Sequence, residues 1–337
     1  MIPPPPLSVV MPVRNALPFL DEAVASILAQ SWRDFEFVIL DDASDDGSAA
    51  RLARWAEADE RIRLERSERP LGPAGSSQRA VELSRAPIVA RMDADDISHP
   101  HRLARQMALF ASEPRAVLAG TLQTVIDAGG RRLRGLERSV LSRPSPMPPF
   151  HHGSIMFRRA AFNAAGGYRA GYDYWEDVDL FLRLSAAGAV FVIPDPLYTA
   201  RYSAAGTRVR ADVDALDSAY ERMAARLTGA GPRAGARIAP AAFVHSAFPH
   251  LWAGRRPGAL SRLLRRGALR LDAVSARAFG FLAWAEASPR SLRIALRALA
   301  ALRERRAPPL GDVPWVEWRP AAPVAVDPAS ASAKAAP

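Results

Sequence analysis

Pro87-Ile88-Val89-Ala90-Arg91-Met92-Asp93-Ala94-Asp95-Asp96 is the stretch whose reading decides the fold. A short apolar run ends in three carboxylates within four positions. Such a run predicts a buried strand that delivers acids at its carboxyl end, the edge at which open α/β sheets bind ligands. Like charges this close repel, so they need a cation or must give up a proton. Aspartate oxygens suit hard ions such as Mg²⁺ or Mn²⁺, which commonly bridge to substrate phosphates. The competing reading is a solvated acidic turn that caps the next helix. An isolated Asp-x-Asp is too short to choose between them.

Working outward, strand and helix signals alternate, which predicts an α/β fold with a mostly parallel, doubly wound sheet and helices on both faces. Leu7-Ser8-Val9-Val10-Met11 reads as a strand ended by Pro12, and Asn15 as the cap of a helix bearing Leu20, Val24, Ile27 and Leu28 on one face. Glu36 to Leu40 reads as a second strand, followed by the acidic loop Asp41-Asp42-Ala43-Ser44-Asp45-Asp46-Gly47. A helix with Leu52 and Trp55, a short strand near Ile62, and a helix opened by Ser76 lead to the acidic strand. Beyond it, Pro100 starts a helix and Ala116 to Ile126 is a strand turned back by Gly129-Gly130. The four prolines between Arg143 and Pro149 demand an irregular loop. Ser154 to Phe157 is extended, Glu176 to Ala187 is a helix closed by Gly188, and Val190 to Ile193 is the last strand.

Composition bounds the rest. The 337 residues can bury a substantial core. They contain no cysteine, which excludes disulfides and thiolate metal sites. No run approaches the roughly 18 apolar residues that span a bilayer, and Met1 to Pro6 lacks a signal peptide's basic and apolar regions. The expectation is a cytoplasmic protein. The net charge of +10 is unevenly spread: residues 1–204 carry 24 Arg against 25 acids, whereas residues 205–337 carry 20 Arg and one Lys against 10.

Asp42 and the Asp93–Asp96 acids sit at the ends of neighbouring strands and would face one crevice. There a carboxylate can accept hydrogen bonds from a ribose hydroxyl or a base N–H. For Asp42 alone, an Asx turn is the alternative. A third cluster, Trp175-Glu176-Asp177-Val178-Asp179, reads either as a general base near a basic clamp or as an acidic helix start with a surface Asp179–Arg183 pair. Trp175 is either a sugar-stacking ring or a core aromatic. The adjacent His151 and His152 either contact diphosphate or acceptor, or are structural.

Taken in order, these segments resemble inverting family 2 glycosyltransferases of the GT-A fold, the bacterial surface-polysaccharide type. The matching residues are Ser8-Val9-Val10-Met11-Pro12-Val13-Arg14-Asn15, Asp41 to Ser48, and Ala90 to Ser98 with Pro100, Arg102-Leu103 and Gln106. His152-Gly153-Ser154, Gly166-Gly167-Tyr168 and Glu176 to Leu180 complete the series, and the resemblance covers about residues 6–205. It implies a nucleotide-diphosphate sugar donor, most often a UDP-sugar, a divalent cation (Mg²⁺ or Mn²⁺), and a glycan or lipid-linked acceptor hydroxyl. Pro12, Val13 and Asn15 would line the nucleotide, Asp42 would bind the base, Asp93 would approach the ribose, and Asp95 would ligate the metal. Asp177 matches the catalytic base, with Glu176, Trp175, His152 and Arg79 among the substrate-binding residues; Asp96 would serve local structure. Two departures stand out. Ser77-Gln78-Arg79-Ala80 lacks the Asn found before the Asp-x-Asp in relatives. Tyr198-Thr199-Ala200-Arg201-Tyr202 lacks the following His, so a third protein ligand to the metal must come from elsewhere, or water fills the place.

The expected organisation is a catalytic domain over 1–205, a small basic helical region over 206–319 and a disordered Ala/Pro/Ser-rich tail over 320–337. The basic helices either touch an anionic membrane peripherally, at its inner face, or pack on the catalytic domain with arginines in water; the second reading is preferred. No nucleic-acid motif is present. Two alternatives remain: a sugar-1-phosphate nucleotidyltransferase, whose Gly-rich basic triphosphate loop is missing between Val9 and Asn15, and a non-catalytic binding module of the same fold, which would lack the acids.

Overall fold

The computed structural model describes residues 3–133, 150–202 and 315–318. Strand β1 (Leu7–Val13) lies between β2 (Glu36–Asp41) and β4 (Ile88–Arg91), and β2 carries β3 (Ile62–Arg66) on its far side; all three pairings are parallel. Helices α1 (Leu17–Leu28), α2 (Ser48–Ala58) and α3 (Gly72–Leu83) make the crossovers. There follow β5 (Ile97–Ser98), α4 (Arg102–Ser112), β6 (Ala116–Asp127), a 3-10 turn at His152–Ser154, β7 (Met156–Arg158), α5 (Arg159–Ala164), α6 (Glu176–Ala187), β8 (Ala189–Tyr202) and β9 (Val316–Trp318). The sheet order is β3-β2-β1-β4-β7-β6-β8-β5, with β9 beside β8. Pairs β4–β7, β6–β7, β5–β8 and β8–β9 are antiparallel, so the sheet is mixed, with a parallel doubly wound half.

Alternation along each strand builds two cores. Val9, Met11, Phe37 and Ile39 meet Leu20, Val24 and Ile27 of α1, Leu52 of α2 and Leu103 and Phe110 of α4. Val10, Val38 and Leu40 meet Ala80 and Val81 of α3, Phe162 of α5 and Leu180, Phe181 and Leu184 of α6. Helices therefore cover both faces. The strand ends that carry acids are left at one edge.

Several boundaries differ from the sequence reading for definite reasons. Strand β1 runs through Pro12 instead of ending there. The Val10 carbonyl bonds the Met92 N–H on the β4 side, and the Val13 carbonyl bonds Asp42 on the β2 side. Alternation points Pro12 toward β4, beyond the last paired residues Val10 and Arg91, where no ladder donor is needed. Asn15 does not cap α1. The N-cap position is Ala16, and the first amides are held from the next loop: Ala16 N–H by Ser48 Oγ at 3.1 Å and Leu17 N–H by Asp46 Oδ2 at 3.0 Å. Helix α3 begins at Gly72, four residues before Ser76, again without a cap from its own N-cap residue. Strand β8 continues past Ile193 because Pro194 and Pro196 fall between the block paired with β9 (190–192) and the block paired with β5 (198–199). Val316–Trp318, inside the stretch expected to be helical, is a strand.

The chain divides into two compact units: Met1–Val125 with Glu137–Arg201 and Pro308–Pro337, and Ile126–Leu136 with Tyr202–Ala307. In the second unit the described part is chiefly a hairpin tip, where Ile126 pairs with Arg132 and Asp127 Oδ1 accepts the Gly129 and Arg131 amides at 3.0 and 2.9 Å. The expected domain boundaries at 205/206 and 319/320, the proline loop at 143–149 and the basic helices after 205 lie outside the described residues. Among the described residues no helix is long and apolar enough to cross a membrane.

The core tolerates no added volume where β6 meets Phe150. A Cβ on Gly120 would lie 2.1 Å from Phe150 Cγ. Gly120→Ala is therefore expected to lower unfolding free energy by about 1–3 kcal/mol, the usual cost of overpacking a core, read from the midpoint of urea denaturation.

Candidate active site

The loops after β1 and β2 are stitched into one surface. Asn15 Nδ2 donates to Asp45 Oδ1 at 2.8 Å, the Asp45 amide returns to Asn15 Oδ1 at 3.0 Å, and the Asn15 amide donates to Ser44 Oγ at 3.0 Å. Asn15 and Ala43 both sit at φ 53°, a left-handed conformation that an alanine adopts only under the constraint of its surroundings. Asp42 is buried, and its Oδ1 accepts from Ser67 Oγ at 3.0 Å and from the Leu71 amide at 2.7 Å. Pro12 and Val13 contribute backbone here, the Val13 carbonyl accepting the Asp42 amide at 2.7 Å.

At the end of β4 the acids are separated by their partners. The buried Arg91 guanidinium pairs with Asp93. Burial alone would raise the Asp93 carboxyl, but the Arg91 charge beside it holds it below the ordinary value. Asp96 accepts the Tyr198 hydroxyl at 2.8 Å on Oδ2 and the Arg201 amide at 2.7 Å on Oδ1. Burial and the charges of Asp95 and Asp93 still push it well above the ordinary range. Among the described residues the Asp95 carboxylate is bonded by its own backbone amide and by no side chain; burial and the Asp93 charge raise it to about 6.

His151 completes the group. Its Nδ1 lies 3.5 Å from Asp93 Oδ2 and 3.6 Å from Asp96 Oδ2, and its ring stacks on Tyr198 with centroids 5.6 Å apart. Ligand atoms of Asp93, Asp96 and His151 all fall within 4.8 Å of one another. Nδ1 also accepts the Gly153 amide at 3.2 Å. Two carboxylates and an imidazole this close form a donor set of the kind that divalent cations use.

Two residues make this convergence possible. Gly153 lets the 3-10 turn approach, because a Cβ there would lie 1.8 Å from Tyr198 Oη and 2.7 Å from Asp93 Oδ2. Arg102, fully buried, donates to the Arg91 and Gly153 carbonyls at 2.9 Å each and to Ser98 Oγ at 2.8 Å, tying β4, β5 and the turn together. Burial lowers its guanidinium to about 10, so it stays charged at neutral pH.

The third acidic cluster lies close by. His152 Nε2 is 2.7 Å from Tyr168 Oη, and its Nδ1 is 3.9 Å from Glu176 Oε1. Burial raises the Tyr168 hydroxyl; the charges of Arg91, Glu176, Asp177 and Asp93 all bear on it, which puts both acidic clusters around one buried phenol. Asp177 stands in the first turn of α6, half-buried, its Oδ1 accepting the Val178 amide at 2.8 Å. Asp179 is a buried partner of Arg183, with Nε at 3.0 Å, and not the surface pair expected.

The structure thus brings together Asp93, Asp95, Asp96, His151, His152, Glu176 and Asp177. Asp42 and Asn15 line the adjoining loops. Arg79 stays apart, exposed on α3 and paired with Glu82 at 3.6 Å; its neighbour Gln78 is the residue that reaches inward, accepting the Tyr168 amide at 2.9 Å. Trp175 is 1 % exposed, as the core-aromatic alternative requires. Asp96, expected to serve local structure, belongs to the ligand trio with Asp93 and His151, whereas Asp95 lies outside it. Sequence reasoning missed Arg91 and Tyr198 as members of the cluster. Their signal was present in the charge beside the Asp-x-Asp and in the Tyr198-x-x-Arg201 spacing, both residues of which reach Asp96.

A mixed sheet with acids at the ends of β2 and β4, either side of β1 rather than on neighbouring strands, fits the GT-A class of nucleotide-sugar enzyme. The chain belongs to glycosyl transferase family 2, whose family model matches residues 8–170. It is 32 % identical over 225 residues to the protein EpsE of Bacillus subtilis (strain 168), covering 64 % of this chain and 80 % of that one. To the O-antigen biosynthesis glycosyltransferase WbnJ of Escherichia coli it is 29 % identical over 184 residues, covering 53 % and 71 %. The fold also matches the mannosyltransferase PcManGT of Pyrobaculum calidifontis, solved with GDP-Man and Mn²⁺, at a TM-score of 0.52 and 21 % identity over 90 % of this chain and 88 % of that one.

The unpaired Asp95 gives a test of the electrostatics. Burial and the Asp93 charge raise its carboxyl above the ordinary carboxylate value, to about 6, so the folded state favours the neutral acid. The associated stability is fully present below about pH 4 and is lost as pH rises through about 6. Without metal, Asp95→Asn is therefore expected to melt above the wild type at pH 7.5, with the gap closing near pH 4, as read by differential scanning fluorimetry.

Proposed function

We propose that the Asp93–Asp96 cluster with His151 binds a divalent cation that carries the diphosphate of a nucleotide-sugar donor, and that Asp177 takes the proton of the acceptor hydroxyl during a single inverting displacement. The observation that carries this reading is the convergence of Asp93, Asp96 and His151 ligand atoms within 4.8 Å at the end of β4. The donor set fits: carboxylate oxygens suit Mg²⁺ and Mn²⁺, and an added imidazole nitrogen favours Mn²⁺ over Mg²⁺. His151 supplies the third protein ligand left open by the missing His after Tyr202. When bound, the cation supplies Lewis-acid neutralisation of charge growing on the leaving diphosphate.

The chain's own residues do the rest. Asp42 presents the carboxylate edge not engaged by Ser67 and Leu71 to a base N–H, and the stitched loop around Asn15 and Val13 walls the nucleotide. Arg91 fixes Asp93 in its ionised form. In this reading Asp177, half-buried at the start of α6, acts as the general base, a role typically worth about 10²–10⁴ in rate. Glu176 and His152 pack behind it and restrict its setting. The residues are consistent with UDP as the first nucleotide to test, as the family resemblance implies. Because PcManGT was solved with GDP-Man, GDP-sugars come next. An O-antigen relative supports a surface glycan or lipid-linked acceptor. A nucleotidyltransferase reading lacks the basic Gly-rich loop it would need.

The test is a panel of UDP-, GDP- and dTDP-sugars assayed for Mn²⁺-dependent turnover. One donor class is expected to respond, and a flat panel overturns the reading. Asp95→Ala and His151→Ala are expected to weaken Mn²⁺-dependent nucleotide binding by calorimetry, with Asp95→Ala abolishing turnover. Asp177→Asn is expected to keep nucleotide binding and lose at least 10²-fold in transfer; normal transfer would remove Asp177 from the base role.

A further inference from the structure

Helix α3 has an unusual start. Its N-cap residue is Leu71, which has no acceptor side chain, and Pro73 lacks an amide hydrogen. The remaining donors of the first turn need partners, and two distant carboxylates supply them. Asp42 Oδ1, from the loop after β2, accepts the Leu71 amide at 2.7 Å. Asp173 Oδ1, from the segment just before α6, accepts the Ala74 amide at 3.2 Å, across 99 positions of sequence. Gly72, at φ +77°, leaves room for it: a Cβ there would lie 3.3 Å from Asp173 Oδ1. One helix end is thus clamped from both sides by acids, in the orientation that its dipole favours.

What hangs from the second acid is the base-bearing segment. Tyr174, next in sequence, holds φ 71°, and the Trp175 amide closes a turn on the Tyr172 carbonyl at 2.8 Å. Trp175 is then buried as the N-cap of α6, and Glu176 and Asp177 open that helix. A non-glycine residue in the left-handed region persists only where its surroundings fix it, and the residue before it, Asp173, ties this segment to α3.

We infer that Asp173 is a positioning residue that couples the nucleotide loop to the catalytic base through the N-terminus of α3. Asp42 and Asp173 share that helix end, so ordering Asp42 against a nucleotide base orders the Asp173 side as well, and with it the first turn of α6. The inference rests on the roles proposed for Asp42 and Asp177. It adds a residue outside the acidic clusters whose contribution is geometric: a displacement of about 1 Å at a reacting group can cost about 10²-fold in rate.

The experiment has two arms on the full-length chain. In the first, hydrogen–deuterium exchange without ligand compares wild type, Asp42→Ala, Asp173→Ala and Asp173→Asn. Coupling predicts faster exchange at both 71–75 and 174–179 in each alanine variant, and near-wild-type exchange in Asp173→Asn, whose amide oxygen still accepts from Ala74. Changes confined to the mutated side would overturn it, and so would an Asn variant as loose as the Ala variant. In the second arm, initial rates are taken with Mn²⁺ and UDP-glucose, UDP-GlcNAc or GDP-mannose. Asp173→Ala is expected to lose about 10–100-fold in kcat with donor KM changed less than threefold, and Asp173→Asn to recover most of the loss. A raised KM at constant kcat would make Asp173 a donor-binding residue instead. If no donor is turned over by the wild type, the donor reading fails while the exchange arm still decides the coupling. Should Asp173→Ala fold poorly, Gly72→Ala keeps the carboxylate and strains the helix start; it is expected to show the same kcat-selective loss, and an unchanged kcat would overturn the inference.

Discussion

Electrostatic repulsion among three carboxylates delivered by one strand end is the constraint on which the rest of the structure depends. Each acid is handled differently. Asp93 is neutralised by the buried Arg91, Asp96 is held by Tyr198 and the Arg201 amide, and Asp95 is left without a side-chain partner among the described residues and is pushed toward the neutral form. Removing charge from all three would be simpler for stability. Keeping one acid paired, one hydrogen-bonded and one poised leaves negative charge at the sheet edge that a bound cation would relieve. The fold carries that cost because the acids lie at the sheet edge, where a charged ligand can reach them.

Arg102 is what allows so much charge to be gathered without collapse. A fully buried arginine is costly unless its donors are used; here Nε bonds the Ser98 hydroxyl and Nη1 the carbonyls of Arg91 and Gly153, while Nη2 has no hydrogen-bond partner among the described residues. Its guanidinium also lies over the Tyr198 ring, 5.4 Å from the centroid. The three chain segments that surround the acids are therefore fixed by one side chain that does not itself touch them. The arrangement separates two tasks: residues facing the crevice remain free to bind, and residues behind it supply rigidity.

The parallel half of the fold was legible because its signals are local. Buried strands in parallel sheets read as continuous apolar runs, and Glu36 to Leu40 or Ile88 to Ala90 can hardly be read otherwise. Helix α6 was legible to the residue, since acids open it and Gly188 closes it. What the sequence could not reveal were partners brought from far away. Asn15 reads locally as a helix cap, but the neighbouring loop offers Asp45 and Ser44, and the helix takes its caps from Asp46 and Ser48. Ser76 reads as a helix start, but Asp173 satisfies an amide two residues earlier, so the helix begins at Gly72. Strand β9 failed for a similar reason: three residues carry too little periodicity to be recognised, and only the open edge of β8 makes them a strand.

The same reasoning explains why the loops of the candidate site could be grouped from sequence while the partners of their side chains could not. Spacing placed Asp93, Asp95 and Asp177 at ligand-facing positions, yet spacing says nothing about which oxygen meets which neighbour. His151 illustrates the gap. As one of two adjacent histidines it has no local signature. It becomes part of the acidic cluster because Gly153 lets the turn press against Asp93 and Tyr198 with no side chain between them. A glycine required by contact rather than by its backbone angles is invisible to turn propensity. Its position becomes informative only when the partner, Tyr198, is known to lie across the sheet edge. The roles of acidic residues in such a site therefore follow from the residues that crowd them, and the crowding here is set by Gly153, Arg102 and Tyr198 more than by the acids themselves.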